Sequence, residues 1–227
     1  LKEYHIPDYI LLADSDIKEG YVVPECPVIV FINSRSGGQL GSEILRTFCK
    51  LLNRNQVFDL AEKTPEKVLY QIYFNLEKHK KNGDNVSAEI MSRLRIIVAG
   101  GDGTVGWILG VISDLKLEQQ PPIATLPLGT GNNIPFSFGW GKKNPGTSRH
   151  SVKAFLELVK DAKVMKVDSW HIVMRMKASY KGSFNSTAPL ELPESLHAFH
   201  RISSVDEMKE DGYLSFRGGF WNYFSMG

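Results

Sequence analysis

Three times, this chain runs an apolar segment of strand type straight into a glycine-rich loop. PVIVFIN (Pro27 to Asn33) leads into SRSGGQLG (Ser34 to Gly41), RIIVA (Arg95 to Ala99) into GGDGT (Gly100 to Thr104), and PIATLP (Pro122 to Pro127) into LGTGNN (Leu128 to Asn133). The runs are continuously apolar and rich in β-branched residues, the signature of strands covered on both faces. Helix-like segments follow, from near Ser42, from Thr104 to about Leu115, and from Ser151 to Lys160. Strands alternating with helices predict an α/β fold, an open parallel sheet with helices on both faces.

The remaining segments fit around that frame. Residues 1–24, with Pro7 and Pro24, read as an extended lead-in. A short strand is expected over Gln56 to Leu60. Thr64 has the character of an N-cap with Pro65 at the first helical position. Val68, Leu69, Ile72, Tyr73 and Leu76 then repeat at helical spacing until Asn82-Gly83 ends the helix. Beyond the Ser151 helix the pattern changes. Val164 to Met176, containing Asp168 and His171, reads as one long strand. Ala178 to about Asp211 is irregular, and YLSFRGGFWNYFS (Tyr213 to Ser225) is aromatic and strand-like. The expected organisation is a lead-in over 1–24, a nucleotide-binding domain over 25–163, and the beginning of a β-rich second domain over 164–227.

Loops at the carboxyl ends of parallel strands are where open α/β sheets bind ligands. Glycine lets backbone N–H groups approach a phosphate with no Cβ in the way, and a helix start behind the loop adds converging donors. Ser36, Thr104 and Thr130 offer hydroxyls, and Asp102 is the lone carboxylate in the three loops. A carboxylate beside phosphates repels them unless it meets Mg2+ or accepts a proton from an attacking hydroxyl. A tight turn explains any one such loop; three on consecutive strands point to a polyphosphate site and to phosphoryl transfer. Other phosphate motifs are absent from the sequence: there is no GxxxxGK[ST], no HRD followed by DFG, and no GxGxxG opening a helix with an acidic residue at dinucleotide spacing.

The ordered set NSRSGG, GGDGT and PLGTGN resembles the catalytic domain of diacylglycerol kinases. FSFGWGKKNPGTSRHSV, LELPESLHAFHR and FRGGFWNYFSMG are similar to the plant members, so the resemblance extends over roughly residues 25–227. It implies a nucleotide-binding fold of the lipid-kinase and NAD-kinase kind. The implied reaction is ATP-dependent phosphorylation of diacylglycerol to phosphatidic acid, with Mg2+ accompanying ATP. By motif, Asn33, Ser36, Gly37 and Gly38 would frame the nucleotide, and Gly100, Gly101, Gly103 and Thr104 would hold the phosphates. Gly129, Thr130, Gly131 and Asn132 would lie near the nucleotide and the transferring group. Asp102 would carry the chemistry, as metal contact through Mg-ATP or as hydroxyl acceptor, and both roles stay open.

Two departures qualify that reading. Many lipid kinases of this superfamily have Asp where this chain has Asn133. The acidic motif that the family's second domain supplies is also not matched, since Asp206, Glu207, Glu210 and Asp211 lack its pattern. A C-terminally truncated catalytic domain is therefore expected. A sphingosine-type lipid kinase and a catalytically incompetent nucleotide-binding fragment are the alternatives.

Charge and composition constrain the partners. A net charge of +2 gives no global case for nucleic acid, but residues 140–181 hold ten Lys or Arg against three Asp or Glu. That segment could face anionic lipid, or be an ordinary solvated surface. Phe136, Phe138 and Trp140 alternate beside Lys142 and Lys143, fitting either a membrane contact or, more simply, a packed strand-like stretch. His197 and His200 have no further ligand at metal spacing and read as structural. Two cysteines, Cys26 and Cys49, form no disulfide framework, and no apolar run reaches the length of a membrane span. Cytoplasmic, peripherally membrane-associated behaviour is the expectation. Because the chain opens at Leu1 rather than Met, an upstream segment is expected as well.

Overall fold

A computed structural model describes residues 1–12, 20–177, 200–201 and 213–221, with the backbone alone for 171–177, 200–201 and 213–220. The chain divides into two units, Leu1–Met165 and Lys166–Gly227.

The first unit is built on four parallel strands, β1 (Val28–Ile32), β2 (Val57–Asp59), β3 (Arg95–Gly100) and β4 (Ile123–Pro127), in the order β2-β1-β3-β4. The expected α/β architecture is borne out. Strand periodicity divides the apolar side chains between two layers. Ile29, Phe31, Ile96 and Val98 enter one core, with residues of α1 (Asp8–Leu11), α3 (Pro65–Lys81), α4 (Asn85–Arg93) and α5 (Asp102–Asp114). Val28, Val30, Ile32, Ile97, Ala99, Ala124 and Leu126 enter the other, with residues of α2 (Leu40–Leu51) and α7 (Arg149–Asp161). A five-residue helix, α6 (Asn133–Ser137), follows β4.

Several segments differ from the sequence expectation. The extended lead-in is instead partly helical, with a 3-10 turn over Lys2–Tyr4 before α1, and Tyr4, Ile6, Tyr9 and Ile10 are fully buried. Gln56 is the reason. Its completely buried amide donates from Nε2 to Tyr4 O (2.9 Å) and Val28 O (2.7 Å) and accepts from Ile6 N (3.1 Å), fastening the lead-in to the sheet. Tyr4 also donates its hydroxyl to Glu157 of α7 (2.9 Å). Thr64 precedes Pro65 at the N-cap position as expected, but its side chain makes no cap hydrogen bond. An unforeseen helix, α4, is capped by Asp84, which accepts from Val86 N and Ser87 N and from the Ser87 and Tyr9 hydroxyls.

The second unit holds an antiparallel sheet in which β7 (Tyr213–Phe220) lies between β5 (Trp170–Lys177) and β6 (His200–Arg201). The strand expected from Val164 is shorter than its sequence pattern. Residues 162–169, including Asp168, have no regular structure, and His171 lies within β5. The acidic residues Asp206, Glu207, Glu210 and Asp211, and His197, lie outside the described residues.

Replacing Gln56 with Leu keeps the volume but strands buried peptide groups at about 1–3 kcal/mol apiece. Urea unfolding should therefore show a loss of about 3 kcal/mol with the denaturant slope unchanged. Burial pushes the Asp84 carboxyl up, but the Ser87 and Tyr9 hydroxyls and the Val86 and Ser87 N–H groups outweigh it and hold it below the usual value. Its stabilisation is then complete above the unfolded carboxyl value of about 3.9 and disappears as pH falls through the lower folded value. Stability measured across that acid range should fall less steeply in Asp84→Asn than in the unaltered chain.

Candidate nucleotide site

Loops one, two and three leave the carboxyl ends of β1, β3 and β4, which are neighbours in the sheet. The sheet order reverses between β1 and β3, because β1 connects outward to β2 on one side and the chain later returns to β3 on the other. Such a switch point opens a crevice at the strand ends.

The loops are joined to each other by named contacts. Asn33 Nδ2 donates to Thr104 Oγ1 (3.2 Å), linking loop one to loop two, while Asn33 Oδ1 accepts from Arg35 N (3.2 Å) and shapes the turn. Loop two makes four hydrogen bonds to loop three and the start of α6. Leu128 N donates to Gly100 O (3.0 Å) and Asp102 N to Gly131 O (2.8 Å). The Asp102 carboxylate accepts from Asn133 N through Oδ2 (2.9 Å) and from Ile134 N through Oδ1 (2.8 Å). Asp102 thus opens α5 and caps α6 with its side chain. Loops one and three meet at glycines: a Cβ on Gly37, whose φ is +67°, would lie 3.2 Å from Gly129 N.

Glycine in loop two answers a packing demand. A Cβ on Gly100 would come within 2.5 Å of Thr104 Cβ, and one on Gly101 within 3.0 Å of Gly131 O. Thr104 is consequently buried, with its hydroxyl turned to Asn33, whereas Gly103 and Thr130 are exposed and Ser36 is half-buried. Asn132 is buried and donates through Nδ2 to Gly129 O (3.0 Å) and Lys142 O (3.1 Å), while its Oδ1 has no donor among the described residues. All thirteen residues singled out in the sequence lie in these three adjoining loops and the start of α5.

The donor set suits a polyphosphate. The N–H groups of Gly129, Thr130 and Gly131 have no acceptor among the described residues, nor do those of Gly103 and Thr104 in the first turn of α5. A helix start of this kind favours an anion by about 0.3–1 kcal/mol. Among the described residues no three His, Cys, Asp or Glu side chains are grouped so that they could hold a metal ion. A separate apolar cavity of about 430 Å3 lies between α3 and α5, lined by Glu66, Lys67, Tyr70, Val111, Asp114 and Leu115. It sits at the far end of α5 from Asp102.

Sequence reasoning missed the partners of Asp102. Asn133 stands out in the sequence for lacking a carboxylate, yet its backbone N–H is what Asp102 holds. Thr47 and Thr147 also escaped notice. Thr47 Oγ1 donates to Thr147 O (2.8 Å) and Thr147 Oγ1 to Glu43 Oε2 (2.9 Å), tying the segment after loop three to α2. Side chains distant in sequence leave no local signal of such pairing.

Comparison with known proteins agrees with this geometry. Residues 27–169 match the family described as Diacylglycerol kinase catalytic domain. Over its full length the chain is 62% identical to Diacylglycerol kinase 1 of Oryza sativa subsp. japonica and 60% identical to Diacylglycerol kinase 5 of Arabidopsis thaliana, covering 46% and 45% of those proteins. It is 38% identical over 146 residues, 64% of this chain, to Diacylglycerol kinase iota of Homo sapiens, covering 12% of that protein. The chain therefore spans less than half the length of the plant relatives it matches. Loops, switch point and sequence similarity lead to one assignment: the chain belongs to the diacylglycerol kinase catalytic-domain family.

Proposed function

We propose that this chain is the nucleotide-binding part of an ATP-dependent diacylglycerol kinase that makes phosphatidic acid at a membrane surface. The observation that carries the reading is the joining of three glycine-rich loops at the sheet's switch point, with unpaired N–H groups in loops two and three. The names of its relatives supply the acceptor class. In the reaction the acceptor oxygen of diacylglycerol forms a bond to the γ-phosphorus, the bridging bond to the β-phosphate breaks, and ADP and a proton leave.

The chain's own groups then have distinct tasks. The N–H groups of Gly103, Thr104, Gly129, Thr130 and Gly131 would cradle phosphate oxygens, with the Ser36 and Thr130 hydroxyls adding donors. Asn33, Gly37 and Gly38 would form the opposite wall, and Gly100 and Gly101 would let loops two and three close together. The unpaired Asn132 Oδ1 is an acceptor for a nucleotide hydroxyl or amine. Asp102 has two roles in this reading. It holds loop three through two N–H groups, and a carboxylate has about four lone-pair positions, so about two remain. Those can take a proton from the acceptor hydroxyl or meet water on the cation. Mg2+ brought with ATP would supply charge neutralisation on the phosphates.

The test is transfer from labelled ATP to diacylglycerol in mixed micelles, by this chain and by a longer one carrying the remainder of the relatives' length. Asp102→Asn should lower transfer by at least about a hundredfold, the usual cost of losing a positioned acid–base or charged group. Its amide keeps one acceptor for two N–H groups, so hydrogen exchange at Asn133 or Ile134 should speed up in the same variant. Transfer that survives the substitution in both chain lengths would rule out Asp102 as the chemical group. Sphingosine, offered in place of diacylglycerol, should be a poor acceptor.

A further inference from the structure

The segment after loop three presents an apolar and basic edge that the nucleotide reading does not use. Helix α6 buries Ile134 and Pro135 and leaves Phe136 54% exposed. The other two aromatics of the segment turn inward. Phe138 packs against the core layer that holds residues of α3 and α5, and the Trp140 ring centroid lies 5.6 Å from that of Phe155 in α7. The packed strand-like alternative is thus replaced by a helix and turn that single out Phe136. Gly139 and Gly141, at φ +81° and +86°, reverse the chain and return Lys142 over α6. Its Nζ stands 4.2 Å from the Phe136 ring centroid, and exposed Lys143 follows. Neither ammonium has a carboxylate within ion-pair distance among the described residues.

We infer that Phe136, Lys142 and Lys143 form a contact for an anionic bilayer surface, holding loop three against the lipid that carries the acceptor hydroxyl. This rests on the lipid-kinase reading above. Charge complementarity chooses the occupant: an exposed aromatic ring flanked by two unpaired ammonium groups suits the boundary between acyl chains and anionic headgroups. Tyr70 and Phe74, an exposed stacked pair on α3, lie among Glu66, Lys67, Glu77 and Lys78, a mixed-sign surface with no such preference. The edge is also mechanically coupled to the site, because Asn132 Nδ2 bonds both Gly129 O in loop three and Lys142 O in the edge.

Sedimentation of the full chain with phosphatidylcholine vesicles, with and without phosphatidylserine and lacking ATP and diacylglycerol, tests the contact. Binding should require phosphatidylserine. It should weaken about tenfold in Phe136→Ala and about thirtyfold in the Lys142→Gln/Lys143→Gln double variant. Phe74→Ala, which removes an equally exposed ring elsewhere (54%), should leave it unchanged. A conservative Phe136→Trp should retain binding and gain quenching by brominated acyl chains, which guards against loss through misfolding. Absence of phosphatidylserine-dependent binding, unchanged binding in both edge variants, or no added quenching would overturn the proposal. Nucleotide binding in lipid-free buffer tests the loops separately, so either reading can fail while the other stands.

Discussion

The arrangement at the strand ends depends on a single carboxylate. Asp102 accepts the backbone N–H groups of Asn133, at the end of loop three, and of Ile134 in α6, while its own N–H donates back to Gly131. A carboxylate is the side chain suited to this position, since it accepts through both oxygens, and charge-assisted bonds are roughly twice as strong as neutral ones. Around that bridge the glycines become intelligible. Gly100 and Gly101 admit Thr104 and the Gly131 carbonyl, and Gly37 admits Gly129. Loop closure demands glycine here for its missing Cβ, the same property that would let backbone N–H groups approach a phosphate.

The two layers of the core are tied together in a complementary way. Parallel strands buried on both faces form the sheet, and the lead-in crosses its edge to serve both layers, with Tyr4 in one and Ile6, Tyr9 and Ile10 in the other. Gln56 makes that crossing feasible by satisfying peptide groups that would otherwise be buried without partners.

The strands β1, β3 and β4 and their loops were legible in the sequence because a continuous apolar run that ends in glycines fits a doubly covered parallel strand better than any exposed element. The helix from Pro65 was legible from its spacing and its initial proline. What escaped was set by contacts across the chain. Proline at 7 suggested an extended lead-in, yet it precedes α1 and acts as its N-cap residue. In α6, Pro135 falls in the first turn, where a missing N–H costs no intrahelical bond, so a helix hid within an alternating aromatic pattern. The thirteen candidate residues stand out as a set from their loops, but the bridge from Asp102 to Asn133 and Ile134 does not, because it is made with backbone that carries no residue signature.

The lead-in has a consequence for how variation in this family is interpreted. The family match begins at residue 27, whereas the hydrophobic interior begins at Tyr4. Altering a buried residue among the first eleven removes packing from one of the two core layers. Its phenotype in a cell would then be scarcity of the protein. Immunoblot abundance is where such alleles declare themselves.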